Sequence, residues 1–325
     1  MTSADVRIAD NLAVQQIRSF CVVFEKQSYA AAAAELHLAV PTIWEQVRAL
    51  EKQYQAALFV RRGRRIESTP TAALLYESLR SLLSGLDSTF ELVREEGGNY
   101  PRTVTLVTGA RMMLEDLGRP LKQFRDRYPH ICLRLLHDHD KDAEELVVQG
   151  QADLALTLEP GPGLVGPGIV SQRAYQIDYL AVFPKRHPLA RKATLTLGDL
   201  AAQPLIVGHV KTYGRQLLEE AFHHAGLLER VKVVAETDTS AFTIACVRAG
   251  MGVGVVAGRP TGILSRDLVT RSLASHLGQA WIAFLWKRGK HLTVSVQTLV
   301  QLISRAAENG SGCRGKRLPT QRHAK

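Results

Sequence analysis

The run from Gln27 to Arg62, QSYAAAAAELHLAVPTIWEQVRALEKQYQAALFVRR, constrains the fold more than any other stretch of the chain. Five consecutive alanines, Ala30–Ala34, have high helix propensity, and their small side chains let neighbouring helices approach closely. Ser28 is suited to cap that helix, which is expected to run through Leu36. Pro41 then suits the first position of a following helix, with Val40 in the capping place. Ile43, Val47 and Leu50 recur at i, i+4 and i+7 and turn inward. A preceding helix is marked by Ile17, Phe20, Cys21 and Phe24. The arc opposite the third helix's apolar stripe presents Thr42, Trp44, Glu45, Arg48, Ala49 and Lys52. This order predicts a helix-turn-helix whose last helix is placed to enter a DNA major groove.

After Phe59, VRRGRRIEST reads as a two-stranded hairpin with Gly63 at its tip. Arg61, Arg62, Arg64 and Arg65 are expected to contact phosphates or enter the adjacent minor groove as a wing. The formal charge of +10 carries little of this inference, because residues 1–100 hold 11 Lys/Arg against 12 Asp/Glu. The local balance carries more: residues 41–66 hold six Lys/Arg against Glu45 and Glu51.

Thr69-Pro70 predicts another capped helix start. Leu75, Leu79, Leu82, Leu86, Phe90 and Val93 follow at nearly heptad spacing, a stripe that one helix cannot bury alone. A second copy of the chain is the expected cover, with docking on its own domain as the alternative. Glu95-Glu96-Gly97-Gly98 ends the helix.

From Arg102 the pattern changes to strands alternating with helices. TVTLVTGA, ICLRLLHD and ADLALTLEP read as strands, and MMLEDLGRPLKQFRDRY and AEELVVQG as helices. That alternation predicts a parallel α/β sheet. The Gly/Pro-rich EPGPGLVGPG leads to a second α/β unit from about Ile169, and the chain is expected to return near Thr261. WIAFLW and LTVSVQTLVQLI would then complete the first unit.

The head resembles the LysR-type transcriptional regulators. The resemblance rests on Ser28, Tyr29, Ala32, Ala33, Leu36, Pro41, Val47, Leu50, Glu51, Leu58, Phe59, Arg61, Gly63 and Thr69, in order and spacing. The chain departs from that pattern at Ala39 and Val40, in place of Ser-Gln, and at Trp44 and Glu45, in place of Ser and Arg. Val40 offers no polar cap, a cost of about 1 kcal/mol. Glu45 repels phosphate but can accept from a cytosine amino group, and Trp44 can either touch a thymine methyl or cover the helix. QGQADLAL, RHPLA, LGDLAAQPLIV and VRAGMGVGVV extend the resemblance over most of the remaining chain.

The resemblance implies an α/β architecture in three parts. Residues 10–69 form a winged helix-turn-helix and 70–98 a linker and dimerisation helix. Residues 102–304 form an effector-binding domain of two lobes, like periplasmic solute-binding proteins. Lobe I takes residues 102–168 and 264–304, lobe II takes 169–263, and 305–325 form a basic disordered tail. The implied DNA contacts are Ser28, Thr42, Trp44, Glu45, Arg48, Lys52, Arg61, Arg62, Arg64 and Arg65. A small, anionic effector would sit between the lobes, near Thr108, Gly109, Arg111, Thr157, Gly208, His209, Lys211, Thr239 and Ser240. Arg111, His209 or Lys211 would balance its charge. The implied partners are double-stranded DNA, the effector, a second or further copies as homodimer or homotetramer, and RNA polymerase. The implied role is a transcription regulator.

Other signals point to no enzyme and no cofactor. His137-Asp138-His139-Asp140 has metal-like alternation but no matching ligand set elsewhere, and Asp140 at a helix start reads as an N-cap in a solvated loop. No G-x-S-x-G motif occurs, and GMGVG at Gly250–Gly254 lacks the strand–loop–helix order of a dinucleotide site. Four scattered cysteines fit reduced thiols, mostly core filler; with no apolar leader or membrane-length run, a cytoplasmic protein is expected. The alternative function is a cytoplasmic solute-binding or sensor protein whose DNA-binding head has degenerated.

Overall fold

The computed structural model describes residues 12–63, 65–160, 165–166 and 168–310. It divides into two compact units, residues 1–99 with 287–293, and residues 100–286 with the segment from 294 onward.

The first unit begins with three helices, α1 (Val14–Lys26), α2 (Tyr29–Leu36) and α3 (Val40–Tyr54). Phe20, Ala32, Ile43, Val47, Leu50 and Leu58 are fully buried in its core. Ser28 caps α2 by accepting from the Ala31 amide at 3.2 Å. The cap of α3 is Ala39 rather than Val40, so Pro41 is the second helical residue, and the cap makes no side-chain hydrogen bond. Gln27, His37 and Gln55 end the three helices in the left-handed conformation, at φ 49°, 54° and 51°. The hairpin β1 (Phe59–Arg62) and β2 (Arg65–Ser68) pairs antiparallel, with Gly63 at φ 63° in its turn. Glu51 joins it to α3, accepting from the Leu58 and Phe59 amides at 2.8 and 3.3 Å.

Thr69 caps the long helix α4 (Pro70–Glu96) by accepting from the Ala72 amide. The apolar stripe divides instead of running as one seam. Leu75, Tyr76 and Leu79 pack into the helical core of the same unit. Leu82, Leu86, Phe90 and Val93 remain exposed, at 64%, 39%, 65% and 70%. The segment 287–293 covers another face of α4, where the His291 amide donates to Ser88 Oγ at 2.9 Å. Gly289, at φ +84°, lies so close to the Ser81 carbonyl that a Cβ there would overlap it.

The second unit is a mixed sheet with helices. Its first half contains β3 (Thr103–Thr108), the helices α5 (Ala110–Glu115) and α6 (Gly118–Arg127), β4 (Cys132–His137), α7 (Asp140–Val148) and β5 (Leu154–Leu158). The single helix expected over 112–128 is broken at Asp116-Leu117, where Asp116 turns into the buried network described below. The 16-residue strand β6 (Ile169–Pro184) begins against the first half, where Ile169 packs with Val107 and Ala283, and ends in the second half. The second half adds α8 (Leu197–Ala201), β7 (Pro204–Gly208), α9 (Tyr213–His224), β8 (Lys232–Thr237), α10 (Ser240–Arg248), β9 (Val253–Gly258), β10 (Leu268–Ser272) and α11 (Ala274–Leu277). β11 (Ala280–Lys287) and α12 (Val294–Gly310) complete the chain's described course.

The sheet order is β4-β3-β5-β11-β6-β9-β7-β8, with β10 also on β6. The β3, β4 and β5 pairings are parallel, as are those of β7 with β8 and β9. β11 on β5, and β9 and β10 on β6, are antiparallel. The expected return at 264 is therefore too early: β10 extends the second half-sheet, and the chain rejoins the first only at β11. β10 is a short, half-polar strand, Leu-Val-Thr-Arg-Ser, and only its pairing with the end of β6 assigns it to the second half. α12 also continues past 304 to Gly310. Gly254 permits the approach of α10 to β9, since a Cβ there would lie 2.7 Å from Val247 Cγ2. Cys21 is core, its thiol pushed up to about 12 chiefly by burial, whereas Cys132 is exposed on the edge strand β4. Cys313 and the segment 311–325 lie outside the described residues. No described helix is long and apolar enough to cross a membrane.

Candidate functional site

The outer face of α3 matches its helical periodicity: Trp44, Glu45, Arg48 and Lys52 are exposed and Thr42 is half-buried. Trp44 is 48% exposed, and the Arg48 guanidinium lies over its ring at 5.1 Å from the centroid. Arg48 Nη1 is 3.5 Å from Glu51 Oε2. Trp44, Arg48, Arg61 and Arg65 share one open groove between α3 and the hairpin, with Ser28, Tyr29 and Phe59 along it. Arg61 Nε donates to the Gly63 carbonyl at 3.1 Å, stiffening the turn. Arg62 is paired with Glu67 at 3.1 Å, which weakens its claim on a phosphate; Arg64 lies outside the described residues.

The second unit carries a cleft at the ends of β3, β4, β7 and β8, with an open cavity of about 120 Å³. Gly109, Arg111, Gly208, Thr239 and Ser240 line it, as expected from sequence. Thr108 and Thr157 do not. Both are buried in the sheet, where their hydroxyls donate to the carbonyls of Leu156 and Leu158 at 2.9 and 3.0 Å. His209 and Lys211 are also absent from the cavity wall, because each is engaged beside it.

His209 stacks on His139, with centroids 4.7 Å apart and planes at 11°. Lys211 Nζ is 3.0 Å from Asp142 Oδ2, and the Tyr213 hydroxyl donates to Glu144 Oε1 at 2.6 Å. Asp140 Oδ2 accepts from the Tyr213 amide and its Oδ1 from the Leu158 amide, both at 3.3 Å. His139 Nε2 also lies 3.3 Å from Asp238 Oδ1. The segment 139–144, at the start of α7, is thus clasped to the segment 209–213 that leads into α9. The expectation of a solvated loop capped by Asp140 is corrected: His139 occupies the cap position, and Asp140 is the first helical residue with its carboxylate buried. Burial pushes its pKa up to about 6, against the opposing pull of the Tyr213 and Leu158 amides.

A second tie surrounds Arg111, which is 5% exposed. Its Nη1 donates to Asp116 Oδ2 at 2.9 Å and lies 3.5 Å from Glu115 Oε2. Tyr175 donates to Asp116 at 2.6 Å, and Arg259 lies 3.4 Å from the same carboxylate and over the Tyr175 ring. Glu115 Oε1 accepts from the Leu264 amide at 2.9 Å. Arg111 Nη2 is buried without a hydrogen-bond partner. Sequence reasoning missed Asp116, Tyr175, Arg259, Asp142, Glu144 and Tyr213. The sequence signals nearest to them were the HDHD run and the expected residues Arg111, His209 and Lys211: Asp116 is the partner of Arg111, Asp142 that of Lys211, and His209 stacks on His139 of the run. Among the described residues, no cluster of His, Cys, Asp or Glu is arranged to hold a metal ion.

Comparison with known proteins accounts for both units. The family model described as "LysR substrate binding domain" matches residues 98–308, and "Bacterial regulatory helix-turn-helix protein, lysR family" matches residues 14–73. The CysB transcriptional regulator of Haemophilus influenzae is 30% identical over 260 residues, 79% of this chain and 78% of that protein. The transcriptional activator LysR of Escherichia coli is 30% identical over 249 residues, 75% of this chain and 76% of that protein. Among solved structures, HinK from Pseudomonas aeruginosa covers 91% of this chain and 99% of its own, with a TM-score of 0.54 at 20% identity. The cofactor-binding domain of the Cbl regulator covers 64% of this chain and 92% of its own, with a TM-score of 0.55 at 23% identity. At that identity the structural likeness speaks for the fold, while the two family matches speak for kinship. The chain belongs to the LysR family of DNA-binding transcriptional regulators, with an N-terminal helix-turn-helix and a two-lobed effector-binding domain, and it is a regulator rather than an enzyme.

Proposed function

We propose that a small anionic effector binds in the cleft lined by Gly109, Arg111, Gly208, Thr239 and Ser240 and thereby sets how the protein engages its operator. The observation that carries this reading is Arg111: a buried guanidinium on the cleft wall whose Nη2 lacks a partner. An unmade hydrogen bond on a buried charged group is costly, and a carboxylate or oxyanion entering the cleft would supply the acceptor. The Thr239 hydroxyl caps α10 there, accepting from the Phe242 amide at 3.3 Å. His209 and Lys211 act on closure of the clasp rather than on the ligand itself.

Two heads are joined through the exposed stripe Leu82, Leu86, Phe90 and Val93 on α4, in a homodimer or a tetramer built from it. Each head lays α3 in a major groove and its hairpin arginines along the phosphates. Effector binding shifts the assembly only so far as it favours one lobe arrangement over another. The resulting change in spacing of the heads alters DNA bending and the access of RNA polymerase in the cytoplasm. Nuclease protection of the region upstream of the protein's own gene tests the reading. A protected operator is expected, and no protection at saturating full-length protein would overturn it.

A further inference from the structure

The geometry points to Trp44 and Arg48 as a single base-reading unit that takes a guanine and a thymine in neighbouring base pairs of the operator. The inference rests on the DNA-binding role of the head and goes further, to what the head reads.

Both residues project from the exposed face of α3, four positions apart, and the guanidinium is stacked on the indole at 5.1 Å. Arg48 is restrained from two directions. The indole holds one face of the guanidinium, and Glu51 approaches Nη1 at 3.5 Å. Glu51 is itself fixed by the Leu58 and Phe59 amides. A planar donor fork held this way loses less freedom on binding than a free arginine. Its side chain is nonetheless 62% exposed, so the outer edge of the fork is available.

The surrounding charge selects what that edge can meet. Glu45 is exposed on the same face and Glu51 stands beside Arg48, so a phosphate here would face two carboxylates. The phosphate-seeking charge lies instead on the hairpin, at Arg61 and Arg65. A neutral pair of acceptors suits Arg48 better, and guanine O6 and N7 in the major groove form the pair that matches an arginine fork. Trp44 offers a large apolar surface beside it, for which the major groove holds one apolar partner, the thymine methyl group. Stacking draws the guanidinium to 5.1 Å from the indole centroid, a separation that neighbouring base pairs, about 3.4 Å apart along the axis, can bridge.

The test begins by selecting duplexes from a randomised library with the full-length protein. The selected duplex is then resynthesised with deoxyuridine for each thymine, which removes only the methyl, and with 7-deazaguanine for each guanine, which removes N7. One guanine is expected at which loss of N7 weakens binding about tenfold, with a methyl-sensitive thymine at the adjacent pair. Arg48→Met, which keeps the length of the side chain and removes its donors, should bind with its sensitivity to that guanine abolished, and Trp44→Ala with its sensitivity to that thymine abolished. Trp44→Phe should retain the methyl sensitivity. Indifference of wild-type protein to both analogues, or variants that weaken every sequence equally, would overturn the unit while leaving DNA binding intact. Failure of the wild-type protein to bind or enrich any duplex would instead overturn the DNA-binding reading beneath it.

Discussion

The Tyr213 backbone amide donates to the buried Asp140 carboxylate at 3.3 Å, tying the start of α9 to the start of α7 beside the cleft. The same residue reaches Glu144 through its hydroxyl, so Tyr213 is held at both ends by one helix of the opposite half-sheet. The clasp is therefore part of the effector domain's stability as well as a border of its cavity.

Asp140 gives the clasp a pH signature. Its pKa in the folded protein is pushed up to about 6 by burial, above the ordinary aspartate value of 3.8. The folded state then binds the proton more tightly than the unfolded state. The associated stabilisation is full below pH 3.8 and is lost as pH rises through about 6. Asp140→Asn carries no such titration. Chemical denaturation of both proteins at pH 4 and pH 7 should show wild type losing about 2 kcal/mol relative to the variant at the higher pH. Parallel stability profiles would contradict a buried, proton-binding Asp140.

Asp116 is the carboxylate that holds Arg111 and Arg259 together, at 2.9 and 3.4 Å. Asp116→Ala leaves both guanidiniums short of a partner in a buried site and should cost about 3–5 kcal/mol of effector-domain stability, read as a lowered urea midpoint. Arg111→Met, which removes the buried charge and keeps the volume, should cost less. A milder effect of the aspartate change than of the arginine change would mean that Asp116 is not the organising charge.

The exposed half of the α4 stripe predicts self-association. The double variant Leu82→Asp and Phe90→Asp should shift the full-length protein toward the single-chain mass in light scattering. The variant should still unfold cooperatively, because both side chains are about two-thirds exposed within the single chain, but its thermal midpoint should be lower than that of the associated protein and no longer rise with protein concentration. An unchanged mass would place the contact between copies elsewhere.

The head was legible because its determinants are local. Helical periodicity placed Ile43, Val47 and Leu50 inward and left Trp44, Glu45 and Arg48 outside, and Ser28 and Thr69 cap the helices they were expected to cap. The cleft was only half legible. Gly109 and Ser240 lie where a strand ends and a helix begins, and local pattern marks such places. His139, Asp142, Lys211 and Tyr213 meet because the sheet brings together segments 69 residues apart, as in the Lys211–Asp142 pair. No spacing rule announces such a meeting. Thr108 and Thr157 stand off the cavity wall for the complementary reason: a hydroxyl at a strand end can turn back to a sheet carbonyl, which leaves it no proton to offer an anion.

The measurement closest to the central claim is the salt dependence of DNA binding by the full-length protein, compared with the variant carrying Arg61→Ala and Arg65→Ala. Both arginines are exposed on the hairpin beside α3. Each phosphate contact contributes about 0.9 to the slope of log affinity against log salt, so the double variant should flatten that slope by roughly 2 units and weaken binding on every sequence. An unchanged slope would take the hairpin off the DNA and contradict the account of how this head binds.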